Sequence, residues 1–97
     1  MKIEKKISDG KMTVVVAGNV DTTTAPEFSA ALNLEGVNEA TIDLSGVSYM
    51  SSVGLRCLLV AKKAMTAQGG EIKLKGVQKP VKDVLDMTGF SSFFEFI

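Results

Sequence analysis

Two strand-like runs enclose an amphipathic stretch near the middle of the chain, and this triplet limits the possible folds more than any other feature. Thr41-Ile42-Asp43-Leu44 alternates apolar and polar side chains, as does the run 71–77 through Ile72 and Leu74. Between them, in residues 54–68, Leu58, Ala61 and Met65 recur on one side of a 3.6-residue helix with Cys57 and Ala64 beside them, while Arg56, Lys63 and Thr66 fall on the other. Gly69-Gly70 closes that helix before the second run begins. A strand, a helix and a strand joined this closely make a crossover whose strands lie parallel and whose hand is right in nearly all folds.

The flanking segments extend this unit. Asp9-Gly10 suits the positive dihedrals of a tight hairpin turn between strands at 3–7 and 12–17, with Val14 and Val16 on one face. Thr24-Ala25-Pro26-Glu27 reads as a helix start, with Thr24 as cap, Pro26 in the first turn and Glu27 completing a capping box. Phe28, Ala31 and Leu32 supply that helix's apolar side. Residues 80–88 predict a short helix with Val81, Val84 and Leu85 inward and Gly89 as its C-cap, and the tail Phe93-Phe94-Glu95-Phe96-Ile97 offers a last short strand. The expected fold is α/β, a mixed sheet of four to five strands with helices packed against it. At 97 residues the chain is too short for two self-sufficient cores, so 1–97 is expected to form a single domain.

Composition removes several classes of function. Eleven basic and eleven acidic residues give zero net charge with no dense Lys/Arg cluster, so no direct contact with nucleic acid is expected. No apolar run approaches the roughly 20 residues that would span a bilayer, and no apolar stretch follows the basic start Met1 to Lys6, so the expectation is a cytoplasmic protein without membrane insertion. Histidine is absent and Cys57 is the only cysteine, which removes His-based triads and the usual zinc ligand sets. With no Gly-rich phosphate loop either, the sequence predicts no catalytic residue, metal or cofactor, and no enzyme.

Binding to sheets of this kind concentrates beyond the carboxyl ends of parallel strands, which selects the loop 48–52. Ser52 lies next to the helix start. It serves there either as a simple cap or as an exposed hydroxyl on which the helix N-terminus would favour a phosphate.

The run Asp43-Leu44-Ser45-Gly46-Val47-Ser48-Tyr49-Met50-Ser51-Ser52-Val53-Gly54-Leu55 resembles the signature of the STAS family, named for sulphate transporters and anti-sigma factor antagonists. Gly18-Asn19-Val20-Asp21-Thr22-Thr23-Thr24-Ala25 resembles the family's first strand-to-helix loop, with Asp21 on its acidic position. Gly69-Gly70 and the stretch from Val81 through Asp86-Met87-Thr88-Gly89-Phe90 fit later landmarks, so the resemblance runs in order along the whole chain. It implies an anti-sigma factor antagonist that binds an anti-sigma factor serine kinase, is released when Ser52 is phosphorylated, and is reset by a serine phosphatase. Many members carry Asp where this chain has Ser51, which leaves Ser51 and Ser52 both open as acceptor.

The implied partner surface comprises Asp21, Thr22, Ser51, Ser52, Gly54, Leu55, Arg56 and Leu59. Asp21 has an alternative reading as an ordinary turn residue, and Gly54 either allows close approach at the helix start or loosens that turn. Arg56 and Leu59 are expected on the outer side of the helix. The alternative function is a constitutive STAS adaptor, a subunit of a transport ATPase or signalling assembly that is not phosphorylated.

Overall fold

In a computed structural model describing Met1–Ile97, the chain opens with the expected hairpin. Strands β1 (Lys2–Ser8) and β2 (Lys11–Ala17) pair antiparallel from Ser8↔Lys11 to Lys2↔Ala17. Asp9 at φ 51° and Gly10 at φ 77° form the turn, both in the left-handed region that matches strand twist in a two-residue connection. Helix α1 (Ala25–Ala31), strand β3 (Glu39–Gly46), helix α2 (Ser52–Ala67) and strand β4 (Glu71–Lys75) follow. Helix α3 (Lys79–Met87), a 3₁₀ turn (Phe90–Phe93) and the two-residue strand β5 (Glu95–Phe96) complete the chain.

The five strands lie in the order β1-β2-β3-β4-β5, with β2 to β5 mutually parallel. Each crossover steps one strand in the same direction, so right-handed connections place all three helices on one face of the sheet. The burial pattern agrees. Met12, Val14 and Val16 of β2, Ala40, Ile42 and Leu44 of β3, and Ile72 and Leu74 of β4 all point into the core. Alternate residues such as Thr13, Thr41 and Lys73 share the opposite face in register. There Glu39 lies 3.8 Å from Lys11 and 3.4 Å from Lys73, polar cover worth little to stability.

The helices close this core with Phe28, Leu58, Met65, Val81 and Leu85, all essentially fully buried. α2 ends in a Schellman motif: the Gly70 N–H donates to the Met65 carbonyl at 2.7 Å, the Gly69 N–H to that of Thr66 at 3.1 Å, and Gly69 sits at φ 76°. After α3, Gly89 takes φ 78° and turns the aromatic tail back onto the sheet. Phe94 is buried, and Lys82 covers the Phe96 ring with Nζ 4.7 Å from its centroid.

One local expectation fails. Thr24 makes no side-chain cap and Glu27 completes no capping box. Thr24 is itself helical, at φ −100° and ψ −12°, whereas a capping side chain works from an extended residue. The turn before it is held by Asp21 instead.

Candidate partner-docking site

Because β2 and β3 run parallel, the loops that leave their carboxyl ends emerge side by side. They are tied by backbone. The Val20 N–H donates to the Tyr49 carbonyl at 3.0 Å, and the Ser51 N–H donates to the Val20 carbonyl at 2.7 Å, closing an isolated bridge between Val20 and Met50. Val20 and Met50 are buried beneath this clasp, and the first turn of α2 rests on them at Gly54. A Cβ at Gly54 would lie 2.6 Å from Val20 Cγ1 and 2.7 Å from Met50 Cγ. Of the two readings of Gly54, close approach is the one the packing supports.

Asp21 organises the first loop. Its Oδ1 accepts from the Thr23 N–H at 2.9 Å, the Thr23 hydroxyl at 2.6 Å and the Thr24 N–H at 3.1 Å. The Thr24 hydroxyl accepts from the Asp21 N–H at 3.0 Å and donates to the Asn19 carbonyl at 2.8 Å. The Thr23 hydroxyl, followed by the Thr24 N–H, holds the Asp21 carboxyl below its ordinary range. Asp21 is thus a turn builder, whatever else it touches. Thr22, exposed beside it, faces Val53 across a shallow cavity of about 450 Å³ that also reaches Cys57, itself half-buried.

Ser51 and Ser52 are in different environments. Ser51 is extended at φ −77° and ψ 172°, is half-buried, and accepts the Gly54 N–H through its hydroxyl at a long 3.5 Å. It is the N-cap of α2. Ser52 is the first residue within the helix and is exposed, so the reading of Ser52 as the cap is corrected: the cap moves one residue back and leaves the Ser52 hydroxyl to solvent.

The remaining residues of the expected surface separate by depth. Arg56 is exposed one turn along from Ser52. Gly54 and Leu55 are buried, Leu55 at 2%, so Leu55 supports the surface from below and cannot touch a partner directly. Leu59 is half-buried, three residues on from Arg56 and so on the adjoining part of the helix surface, and it lines a groove closed by Phe90 and Phe93. Two residues outside the expected set flank Ser52: Tyr49 at 53% exposure and Val53 at 39%. Val53 carried a legible signal, since it lies outside the stripe Leu55-Leu58-Ala61-Met65 that already fills the core.

In α/β sheets a ligand crevice opens where the strand order reverses, and here the parallel strands advance in one direction without reversal. No group of three or more His, Cys, Asp or Glu side chains converges to hold a metal. What remains is a surface of modest relief carrying a free hydroxyl, an arginine, a tyrosine and a valine.

A family model described as the STAS domain matches residues 2–97. The anti-sigma-B factor antagonist of Listeria monocytogenes is 33% identical over 98 residues, spanning 98% of this chain and 85% of that protein. Among solved structures, an anti-sigma factor antagonist from Mycobacterium paratuberculosis is similar with a TM-score of 0.86 at 24% identity, over 98% of this chain and 83% of that one. The Bacillus cell fate determinant SpoIIAA in its phosphorylated form gives 0.71 at 15% identity, over 99% and 91% of the two chains. In its unphosphorylated form SpoIIAA gives 0.76 at 15% identity, over 99% and 87%.

Proposed function

The chain belongs to the STAS domain family, and we propose that it is an anti-sigma factor antagonist that binds an anti-sigma factor serine kinase and is released by phosphorylation of Ser52. The observation that carries this reading is the division of labour at the start of α2: Ser51 caps the helix, and Ser52 stands exposed on its first turn. The names of the curated relatives support the antagonist role, and the phosphorylated and unphosphorylated forms of SpoIIAA make a phosphoryl switch on this fold a natural precedent.

In this mechanism the chain is a substrate and supplies no catalysis. The Ser52 Oγ attacks the γ-phosphorus of ATP in the kinase site, the bond to the β–γ bridging oxygen breaks, ADP departs and the hydroxyl proton passes to a base of the kinase. Water and a serine phosphatase reverse the modification. Asp21 and Thr22 shape one side of the docking surface and Arg56 the other, joined by Tyr49 and Val53, while Gly54 and Leu55 hold the turn from beneath.

The unmodified hydroxyl is small and neutral. A phosphate adds about −1.5 to −2 charges, which the N-terminus of α2 tolerates by roughly 0.3–1 kcal/mol of favourable dipole interaction. The fold therefore survives while the surface changes sign. Incubating the protein with its kinase and magnesium-ATP, followed by peptide mass spectrometry, tests the assignment: phosphate should fall on Ser52 and vanish in Ser52→Ala. Phosphate on Ser51 instead would move the switch, and no phosphate on either would leave the constitutive adaptor as the better account.

A further inference from the structure

A second surface lies on the same helix, far from Ser52. We propose that the groove between the carboxyl-terminal half of α2 and the 3₁₀ turn docks an acidic amphipathic helix of a partner protein. The groove encloses about 600 Å³ and is walled by Leu59 and Ala67 of α2 and by Phe90 and Phe93, with Lys62 and Lys63 beside them. Phe93 remains 49% exposed, with its ring centroid 6.2 Å from that of Phe90, which is half-buried against the core. Lys62 and Lys63 begin roughly 15 Å along the helix from Ser52, at 1.5 Å per residue.

Charge indicates the occupant. α2 carries Arg56, Lys62 and Lys63 and no acidic residue, although the chain as a whole has zero net charge. The four ion pairs of the protein engage Lys11, Lys73, Lys79 and Lys82, so none of the α2 cations is neutralised. An apolar floor with unpaired cations on its wall complements a segment that is apolar on one side and acidic on the other. Such a segment is expected to be helical. The groove is bounded by a helix and a 3₁₀ turn rather than by an open strand edge, which leaves side chains to make the contacts, as when an amphipathic helix places its i, i+3/i+4 and i+7 residues in a groove. From Leu59 to Ala67 the groove wall runs for about 12 Å, two turns of such a helix. This surface is separate from the Ser52 reading and stands or falls without it.

The test uses the full chain, isotope-labelled for NMR, and a panel of short peptides stapled as helices, with Leu or Phe at i, i+3, i+4 and i+7 and Glu elsewhere. Amide shifts should cluster at 59–67 and 90–93, and affinity should drop at least tenfold in Lys63→Glu and in Phe93→Ser, both at exposed positions where the fold should stay intact. Peptides with Lys in place of Glu should not bind. The proposal is overturned if no acidic peptide moves these amides at millimolar concentration, if the shifts fall elsewhere, or if the lysine peptides bind equally well. It is also overturned if decanoate occupies the groove and the peptides do not, since the site would then suit a small amphiphile.

Discussion

Ser51 and Ser52 have the same side chain one residue apart, yet only one of them holds the helix. Ser51→Ala should lower stability by about 0.5–1 kcal/mol, the lower part of the capping range because its bond to the Gly54 N–H is 3.5 Å long. Ser52→Ala, on an exposed hydroxyl, should stay within about 0.5 kcal/mol of the parent. Urea midpoints of the two variants measure the difference, and equal losses would mean that the cap is shared. Gly54→Ala should cost about 1–3 kcal/mol, because its new methyl would meet Val20 and Met50 well inside contact distance. Asp21 brings a pH dependence of known sign. Its carboxyl is held below the ordinary value of 3.8 by the Thr23 hydroxyl and the Thr24 N–H, so the unfolded chain binds the proton first. The stabilisation is complete above the unfolded value and is lost as pH falls through the lower, folded one. Asp43, held down chiefly by the Ser45 hydroxyl, acts in the same sense. Denaturation midpoints should therefore fall from about pH 5 downward, and Asp21→Asn should flatten part of that slope while lowering the plateau at neutral pH.

At the scale of elements, the hairpin and the crossover were legible in the sequence because their signals are local. Asp9-Gly10 supplies its own turn, and the stripe Leu58-Ala61-Met65 fixes the buried side of α2 without reference to anything else. Leu58→Ala should accordingly cost about 2–5 kcal/mol, with thermal unfolding as the measurement, because the position is fully buried in the core. Other features depended on partners distant in sequence. Leu59 reads as an outer residue by periodicity alone, and the return of the aromatic tail past Gly89 adds Phe90 and Phe93 to the groove that it lines. The capping box at Thr24 fitted the local pattern but lost to Asp21, whose carboxylate reaches the same turn from three residues earlier. At the docking site the cap expected at Ser52 falls on Ser51, because it depends on where the backbone changes from extended to helical, a boundary that sequence leaves uncertain by a residue or more.

At the scale of the whole molecule, a sheet that advances one strand at a time puts its helices on one face and the ends of β2 and β3 beside each other, without opening a crevice between them. The result is a support for a surface, and the proposed switch needs only that surface to change charge. The unmodified site is a neutral hydroxyl between Tyr49, Val53 and Arg56. A phosphate there must be desolvated on binding, and each partner carboxylate brought within about 4 Å would cost about 4 kcal/mol at an effective dielectric near 20. One such pair is enough for a loss on the order of a thousandfold, since each 1.4 kcal/mol is a factor of ten. The most direct measurement is a calorimetric titration of the anti-sigma factor kinase with the protein carrying serine or authentic phosphoserine at position 52, each with its melting temperature recorded. Tight binding is expected of the unmodified protein, and binding weaker by about three orders of magnitude of the phosphoprotein, with nearly equal melting temperatures. Equal affinities of the two forms would contradict it.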